Sequence, residues 1–470
     1  MSDVLRKATS APKSFILFGV FLGLVFLLGG ASRIDVQSLL ILGPLSVVTC
    51  ALALLTLRRE HLAGRKWLMA GFAGVAMLCA LHLIPLPPAM WHGLPGRTFI
   101  AEIDALAGID GAWRPITLTP MNNWHALASL ATPLAVLLLG VQQSRDNLFR
   151  LLPMVLVMGG IGGLVGMMQV IGDPRGPLYF YNLTNHGSAV GFFANRNHAA
   201  MLLVMMFPML AVYASVGVGT IGQQRMRQAV AVAAGIVLVP LVLVTGSRTG
   251  LILALPALAC AAMLYRKPVG GRPDRRTSAQ FKLSFGHLVA AGGVVSLTLL
   301  TIIFSRATAI ERLFERSAVD DARADYWAIG LEMVWKYFPV GSGIGSFVEA
   351  YQIEEPDKLL QATYVNHMHN DWLETALTGG LPAIVLFAVA AIFFARAAFR
   401  LWFRQDPNRR FVKFGRLGSL LILLMAVASF ADYPLRTPVM MTLFAIACLW
   451  LTAPSSDDPD RVSGVTGAQQ

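Results

Sequence analysis

The chain has 470 residues, 56% of them hydrophobic and only 14% charged, with a net charge of +12 and a mean hydropathy of +0.61. Soluble domains run at roughly 45–50% apolar and 25% charged residues, so this composition excludes a water-soluble globular protein and makes lipid the solvent. The positive charge does not imply nucleic acid, because the basic residues lie in short loops between apolar runs rather than on one polar module.

Apolar runs near the ~20 residues that cross a bilayer occur at 14–30, 36–57, 67–86, 124–141, 151–171 and 199–217. They continue at 229–245, 251–265, 287–304, 381–399, 417–430 and 439–451. They predict an all-α polytopic membrane protein of about twelve transmembrane helices, one integral domain over 1–455, with a disordered tail at 456–470. Arg6, Lys7 and Lys13 precede the first run and no small-residue cleavage site follows it, so it reads as a first span rather than a removable signal. Cys50, Cys79, Cys260 and Cys448 all fall inside apolar runs without metal-ligand spacing and read as small packed residues.

Twelve spans would place both termini on one side, and that side holds 25 of the 38 Lys and Arg residues. Excess Lys and Arg marks the cytoplasm, so both termini are expected inside. Three segments on the other side are long: 85–123, 172–198 and 305–380. Long loops in compact proteins are usually functional or separately folded, so chemistry is expected on the non-cytoplasmic face.

Four segments there carry reactive residue types. Asn195-Arg196-Asn197-His198 opens the 199–217 run. Asn197 suits a helix N-cap, and Arg196 and His198 at a helix start suggest a phosphate or sugar contact. Gly246-Ser247-Arg248-Thr249-Gly250 is a tight turn between two apolar runs. Its arginine either snorkels to headgroups or serves function, the usual role of ionisable residues near a membrane interior. In the 305–380 loop, 322–337 reads as an amphipathic helix whose packed stripe is Trp327, Leu331, Val334 and Phe338, ended by Pro339 and the glycines Gly341, Gly343 and Gly345. Arg323 lies on a neighbouring part of that face. Finally, Asn366-His367-Met368-His369-Asn370-Asp371-Trp372-Leu373-Glu374 precedes the 381–399 run. Its histidines lack the i, i+4 spacing of zinc peptidases, so no metal is expected. His369 stands just before a helix start, where the dipole favours an uncharged ring and so a candidate general base.

Taken in order, Asn195-Arg196-Asn197-His198, Ser247-Arg248-Thr249-Gly250, Arg323 with Trp327, and His367-Met368-His369-Asn370 resemble the bacterial O-antigen ligase and polymerase superfamily over about 187–387. The resemblance implies a C-type glycosyltransferase fold in the bacterial inner membrane. There a glycan carried on undecaprenyl diphosphate moves, at the periplasmic face and without a metal or other cofactor, onto lipid A–core (ligases) or a second lipid-linked glycan (polymerases). It further implies His369 as the catalytic group and Arg248 and Arg323 as the residues that hold the donor diphosphate. Arg196, Asn197, His198, His367, Asn370 and Glu374 are further candidates for substrate binding. Thr378 stands where family members often carry a glutamate before the glycine pair Gly379-Gly380, and Pro382 and Ala383 replace a glycine-rich continuation. The motif variants lean toward the polymerase branch.

The chemistry is consistent with that implication. Arginine forks match phosphate oxygens and stay charged, and the first outer loop lacks the Asp-x-Asp pair that metal-using lipid-linked sugar transferases often keep. The alternative of another class is a secondary transporter or lipid-linked sugar flippase, but no internal repeat relates the halves, and the charged groups cluster outside rather than at the midplane.

Overall fold

The computed structural model describes residues 13–217, 219–268, 318–360, 364–404 and 409–453, with the side chains of 318–324 excepted. Its helices are α1 (Lys13–Leu28), α2 (Leu39–Thr56), α3 (Lys66–His82), α4 (Pro88–His92), α5 (Thr98–Leu106), α6 (Pro120–Ser129), α7 (Ala131–Val141) and α8 (Arg145–Ile171). There follow α9 (Arg196–Ser215), α10 (Ile221–Val244), α11 (Arg248–Leu264), α12 (Ala318–Tyr337), α13 (Phe347–Glu354), α14 (Asp371–Trp402), α15 (Arg410–Ala428) and α16 (Pro438–Leu451). The one described sheet is a two-residue antiparallel ladder of β1 (Pro85–Leu86) and β2 (Arg114–Pro115).

Seven of the described helices are long and apolar enough to cross a membrane, counting α6 and α7 together, and α1, α3, α11 and α16 are shorter apolar helices. The protein is thus a multi-pass membrane protein. The expected span at 287–304 lies outside the described residues. Several helices begin earlier than the apolar runs indicate: α8 at Arg145, α10 at Ile221, α14 at Asp371 and α15 at Arg410. The first turn of such a helix is polar, so hydropathy alone misses it.

The centre of the bundle is α9. Almost every residue of it is buried, as expected of a helix that is apolar all round, and it packs against α8, α10, α11 and α15. The four cysteines are reduced and buried.

Hydrogen bonds define the two ends. At one end Arg65 donates to the Val141 carbonyl (2.9 Å), Lys413 to the Ser215 carbonyl (2.8 Å), and Arg410 pairs with Asp146. At the other, the chain after α1 joins the polar segments: Ala194 N–H donates to the Gly30 carbonyl (3.1 Å) and Val439 N–H to that of Gly29 (3.1 Å).

The long helix α14 is broken at Gly380, whose φ of 59° and ψ of −154° lie outside helical space in a region only glycine occupies readily. A Cβ there would sit 2.3 Å from the Pro339 carbonyl oxygen. The break lets residues 339–343 run against α14: Ser342 N–H donates to Leu377 O (3.0 Å), Gly343 N–H to Thr378 O (2.9 Å), and Leu381 N–H to Pro339 O (2.8 Å). This is the local reason for the Gly379-Gly380 pair.

The helix expected at 322–337 exists, but its packed face differs. Tyr326, Met333 and Tyr337 are buried, whereas Trp327 and Leu331 are exposed. Gly330 receives the Met368 sulfur, and that close seat turns the helix so that the tyrosine–methionine stripe faces inward. Of the expected stripe, Val334 packs against this cluster, whereas Trp327 and Leu331 point outward.

Candidate functional site

Four segments meet at the end of the bundle that holds Gly29 and Gly30. The first two meet through a side-chain bond. Asn195, not Asn197, is the N-cap of α9, since its Oδ1 accepts from Asn197 N–H at 2.8 Å. The cap lies two residues before the expected one because the helix begins at Arg196. Asn197 Oδ1 is thereby directed at the second segment, where it accepts from Ser247 Oγ at 2.8 Å. Ser247 Oγ in turn caps α11, accepting from Gly250 N–H at 3.0 Å.

These bonds place Arg196 and Arg248 on either side of the Gly246 turn. A Cβ at position 246 would lie 3.8 Å from Arg196 Nη1. Both arginines are half-buried at helix starts, where the positive end of the helix dipole favours anions. Gly250 makes the approach possible, because a Cβ there would come within 2.5 Å of Ala200 Cβ.

The third segment is held by the start of α14. Asn370 is its N-cap, accepting from Leu373 N–H at 3.1 Å, so its side-chain oxygen is used in folding. Glu374 is buried and folds back on the same turn. It accepts from Met368 N–H (3.0 Å) and contacts His367 Nδ1 (3.0 Å). His369 has φ 54°, a left-handed conformation that is uncommon outside glycine and worth explaining when it occurs. It turns the ring away from the helix toward the fourth segment.

That fourth segment, between α15 and α16, was not singled out in the sequence. Asp432 is buried, with Oδ1 3.5 Å from His369 Nδ1 and 3.9 Å from His198 Nε2. Burial pushes the Asp432 carboxyl up, but His369 and His198 outweigh it and hold the group below the usual aspartate range. Tyr433 packs its ring against three imidazoles at once, with centroids 4.3 Å from His367, 5.0 Å from His369 and 5.2 Å from His198. Arg436 donates to Asp371 Oδ1 (2.8 Å) and contacts Glu374 Oε1 (3.2 Å). Burial would lower the Arg436 pKa, but Glu374 and Asp371 raise it further still, so the guanidinium is permanently charged.

Of the three imidazoles, His369 is the most accessible, its side chain 22% exposed against 14% for His367 and 2% for His198. With Nδ1 turned to Asp432, its Nε2 is the nitrogen left for a substrate. This is the arrangement of a base oriented by a carboxylate. His198, expected to line a substrate passage, is instead buried behind Asp432. Arg323 has its side chain outside the described residues. Its helix α12 packs on this segment through Gly330 and Met368, and 323 lies two turns, about 10 Å of helical rise, toward the N-terminus. Among the described residues no group of three His, Cys, Asp or Glu side chains has metal-holding geometry.

The lowered Asp432 pKa sets an acid dependence of stability. A carboxylate lower in the folded than in the unfolded chain stabilises the fold above its ordinary value near ~4, and that contribution fades as pH falls through the folded value. Asp432→Asn should therefore show a shallower loss of thermal stability than the wild type on acidification below about pH 5. Parallel melting curves for the two proteins would contradict this.

The apolar–polar pattern held a hint of the missed residues. Asp432, Tyr433 and Arg436 occupy a nine-residue connection between two apolar helices on the same side as the other three segments, where nothing but function or a turn calls for a carboxylate and a guanidinium. No curated protein matches the chain. A family model described as O-antigen ligase matches residues 233–388, about a third of the chain. That stretch includes Arg248, Arg323 and 367–374, whereas the partners that complete the site, 195–198 and 432–436, lie outside it. That match supports the likeness to the O-antigen ligase and polymerase superfamily over this stretch.

Proposed function

We propose that this protein is a periplasmic-face glycosyltransferase of the bacterial inner membrane. It moves a glycan from undecaprenyl diphosphate to a hydroxyl of an acceptor, as a polymerase or ligase of O-antigen or exopolysaccharide, with inversion and without a metal. The observation that carries the reading is the contact of His369 with buried Asp432, in one connected cluster with the Arg196–Arg248 turn.

In the proposed reaction the donor enters from the bilayer with its diphosphate between Arg248 and Arg323. His369 Nε2 takes the proton of the acceptor hydroxyl, and Asp432 orients the ring and stabilises the imidazolium that forms. The hydroxyl oxygen bonds to the anomeric carbon from the side opposite the diphosphate. The anomeric C–O bond breaks, and undecaprenyl diphosphate departs with the electron pair. Arginines held at helix starts in a site of reduced dielectric stabilise that anion. The acceptor is lipid A–core or a second lipid-linked glycan. Support for the face comes from the basic contacts of Arg65, Arg410 and Lys413 at the other end of the bundle, where the positive-inside trend places the cytoplasm, and both termini with it.

Purified protein in lipid, given a lipid-linked oligosaccharide and acceptor, should transfer glycan equally well with and without a chelator. Arg248→Ala should cut turnover by about 10²-fold or more, the scale for loss of one group that stabilises developing charge. Arg248→Lys should recover only part, since an ammonium cannot fork onto two phosphate oxygens. Undiminished transfer by Arg248→Ala would end the diphosphate assignment.

A further inference from the structure

Two helices beside the site turn apolar faces outward, and among the described residues nothing covers them. On α5, Phe99, Ile103 and Leu106 recur at i, i+4 and i+7 and are about half to nine-tenths exposed, Leu106 reaching 91%. On α12, Trp327, Leu331 and Trp335 recur at i, i+4 and i+8, with Trp335 69% exposed. Both spacings make one continuous face on a helix. The two helices form one unit, since Tyr337 at the end of α12 packs against Gly96 and under the Arg97 guanidinium, 5.5 Å from the ring centroid. Arg97, buried, also donates to the Ile116 carbonyl (2.7 Å) and the Gly341 carbonyl (3.0 Å), locking the unit together.

We propose that α5 and α12 lie in the membrane interface at the site end of the bundle, their outward apolar faces sunk among the lipid headgroups and upper acyl chains. Three observations favour lipid over a protein partner. The unit is held at bilayer height, because Thr117 N–H donates to the His82 carbonyl (3.0 Å) and Asn123 Nδ2 to the Cys79 carbonyl (2.8 Å), both at the last turn of the apolar helix α3. Leu81 and Ile84 at the end of that apolar helix, and Met90 in α4, are exposed apolar residues too. The α12 face carries the two tryptophans Trp327 and Trp335, the residue type enriched at membrane–water interfaces, and is bordered by the Lys336–Glu354 ion pair, a polar rim beside an apolar face.

The attachment is apolar rather than electrostatic. The basic residues of the α5 hairpin turn inward: Arg97 is buried, and Arg114 is paired with buried Asp104. Interfacial helices that depend on anionic lipid carry their basic residues on the exposed polar face, and α5 does not.

The test places a bimane fluorophore on Leu106→Cys, Leu331→Cys and, as a reference on the exposed 357–359 turn, Lys358→Cys, in the full chain reconstituted into phosphatidylcholine nanodiscs. The native cysteines are buried, and the three substituted side chains are exposed, so folding is not at stake. A spin label on the lipid headgroup should quench positions 106 and 331 several-fold more than 358. Aqueous iodide should show the reverse order, and adding phosphatidylglycerol should change neither. Equal iodide quenching at all three sites would mean the unit stands in water. Protection of 106 and 331 from both quenchers would mean that protein covers them. Quenching that requires phosphatidylglycerol would make the attachment electrostatic. Each of these outcomes overturns the proposal, and none bears on glycan transfer.

Discussion

His369→Asn is expected to cut glycan transfer steeply while the protein remains folded and in the membrane. Asparagine is chosen because the residue sits at φ 54°, and Asn accepts the left-handed region where most side chains do not. Alanine would mix lost chemistry with backbone strain. The expected loss is about 10²–10⁴-fold in turnover, the span for removal of a positioned general base. Asp432→Asn should fall in the same direction by a smaller factor, because the imidazole remains but loses the carboxylate that orients it. The measurement is transfer from a lipid-linked oligosaccharide by purified variants in lipid, with melting curves to show that the fold survives. Wild-type turnover by His369→Asn would remove the base from the mechanism, whatever the family membership.

Arg436→Met should be the most destabilising single change in the site. The guanidinium binds Asp371 at 2.8 Å and Glu374 at 3.2 Å, and Glu374 is buried. Without the cation two carboxylates face each other with little water, and breaking a buried pair by removing one partner costs about 3–5 kcal/mol. The damage would spread, because Glu374 also holds His367 and the Met368 N–H, and so sets the turn that presents His369. Loss of monodisperse protein on detergent extraction, or a large drop in melting temperature, is the expected reading. Adding Glu374→Gln should restore part of the stability, since one of the two stranded charges is then gone. A single variant that melts with the wild type would show that the carboxylates find another partner.

The membrane class was legible in composition and periodicity, because burial in lipid demands long apolar runs whatever the tertiary arrangement. The same holds for the segments rich in Arg, His and Asn: polar residues are costly at such positions, so they stand out against an apolar chain. The pairing of those segments was not legible. Asn197 bonding to Ser247 across fifty positions, and Asp432 reaching both His198 and His369, depend on which helix ends the packing brings together.

The face of α12 shows the same limit from the other direction. Trp327 and Leu331 are the larger apolar residues and were expected inside, yet Tyr326, Met333 and Tyr337 are the ones buried. Periodicity finds an amphipathic helix but not which stripe meets protein when a lipid surface can accept the other. By itself the sequence determined the solvent and the apolar helices, since these follow from local transfer energies. Only the tertiary structure decided that Asp432, Tyr433 and Arg436 complete the site, because a short polar connection acquires its partners from the distant helix starts packed beside it.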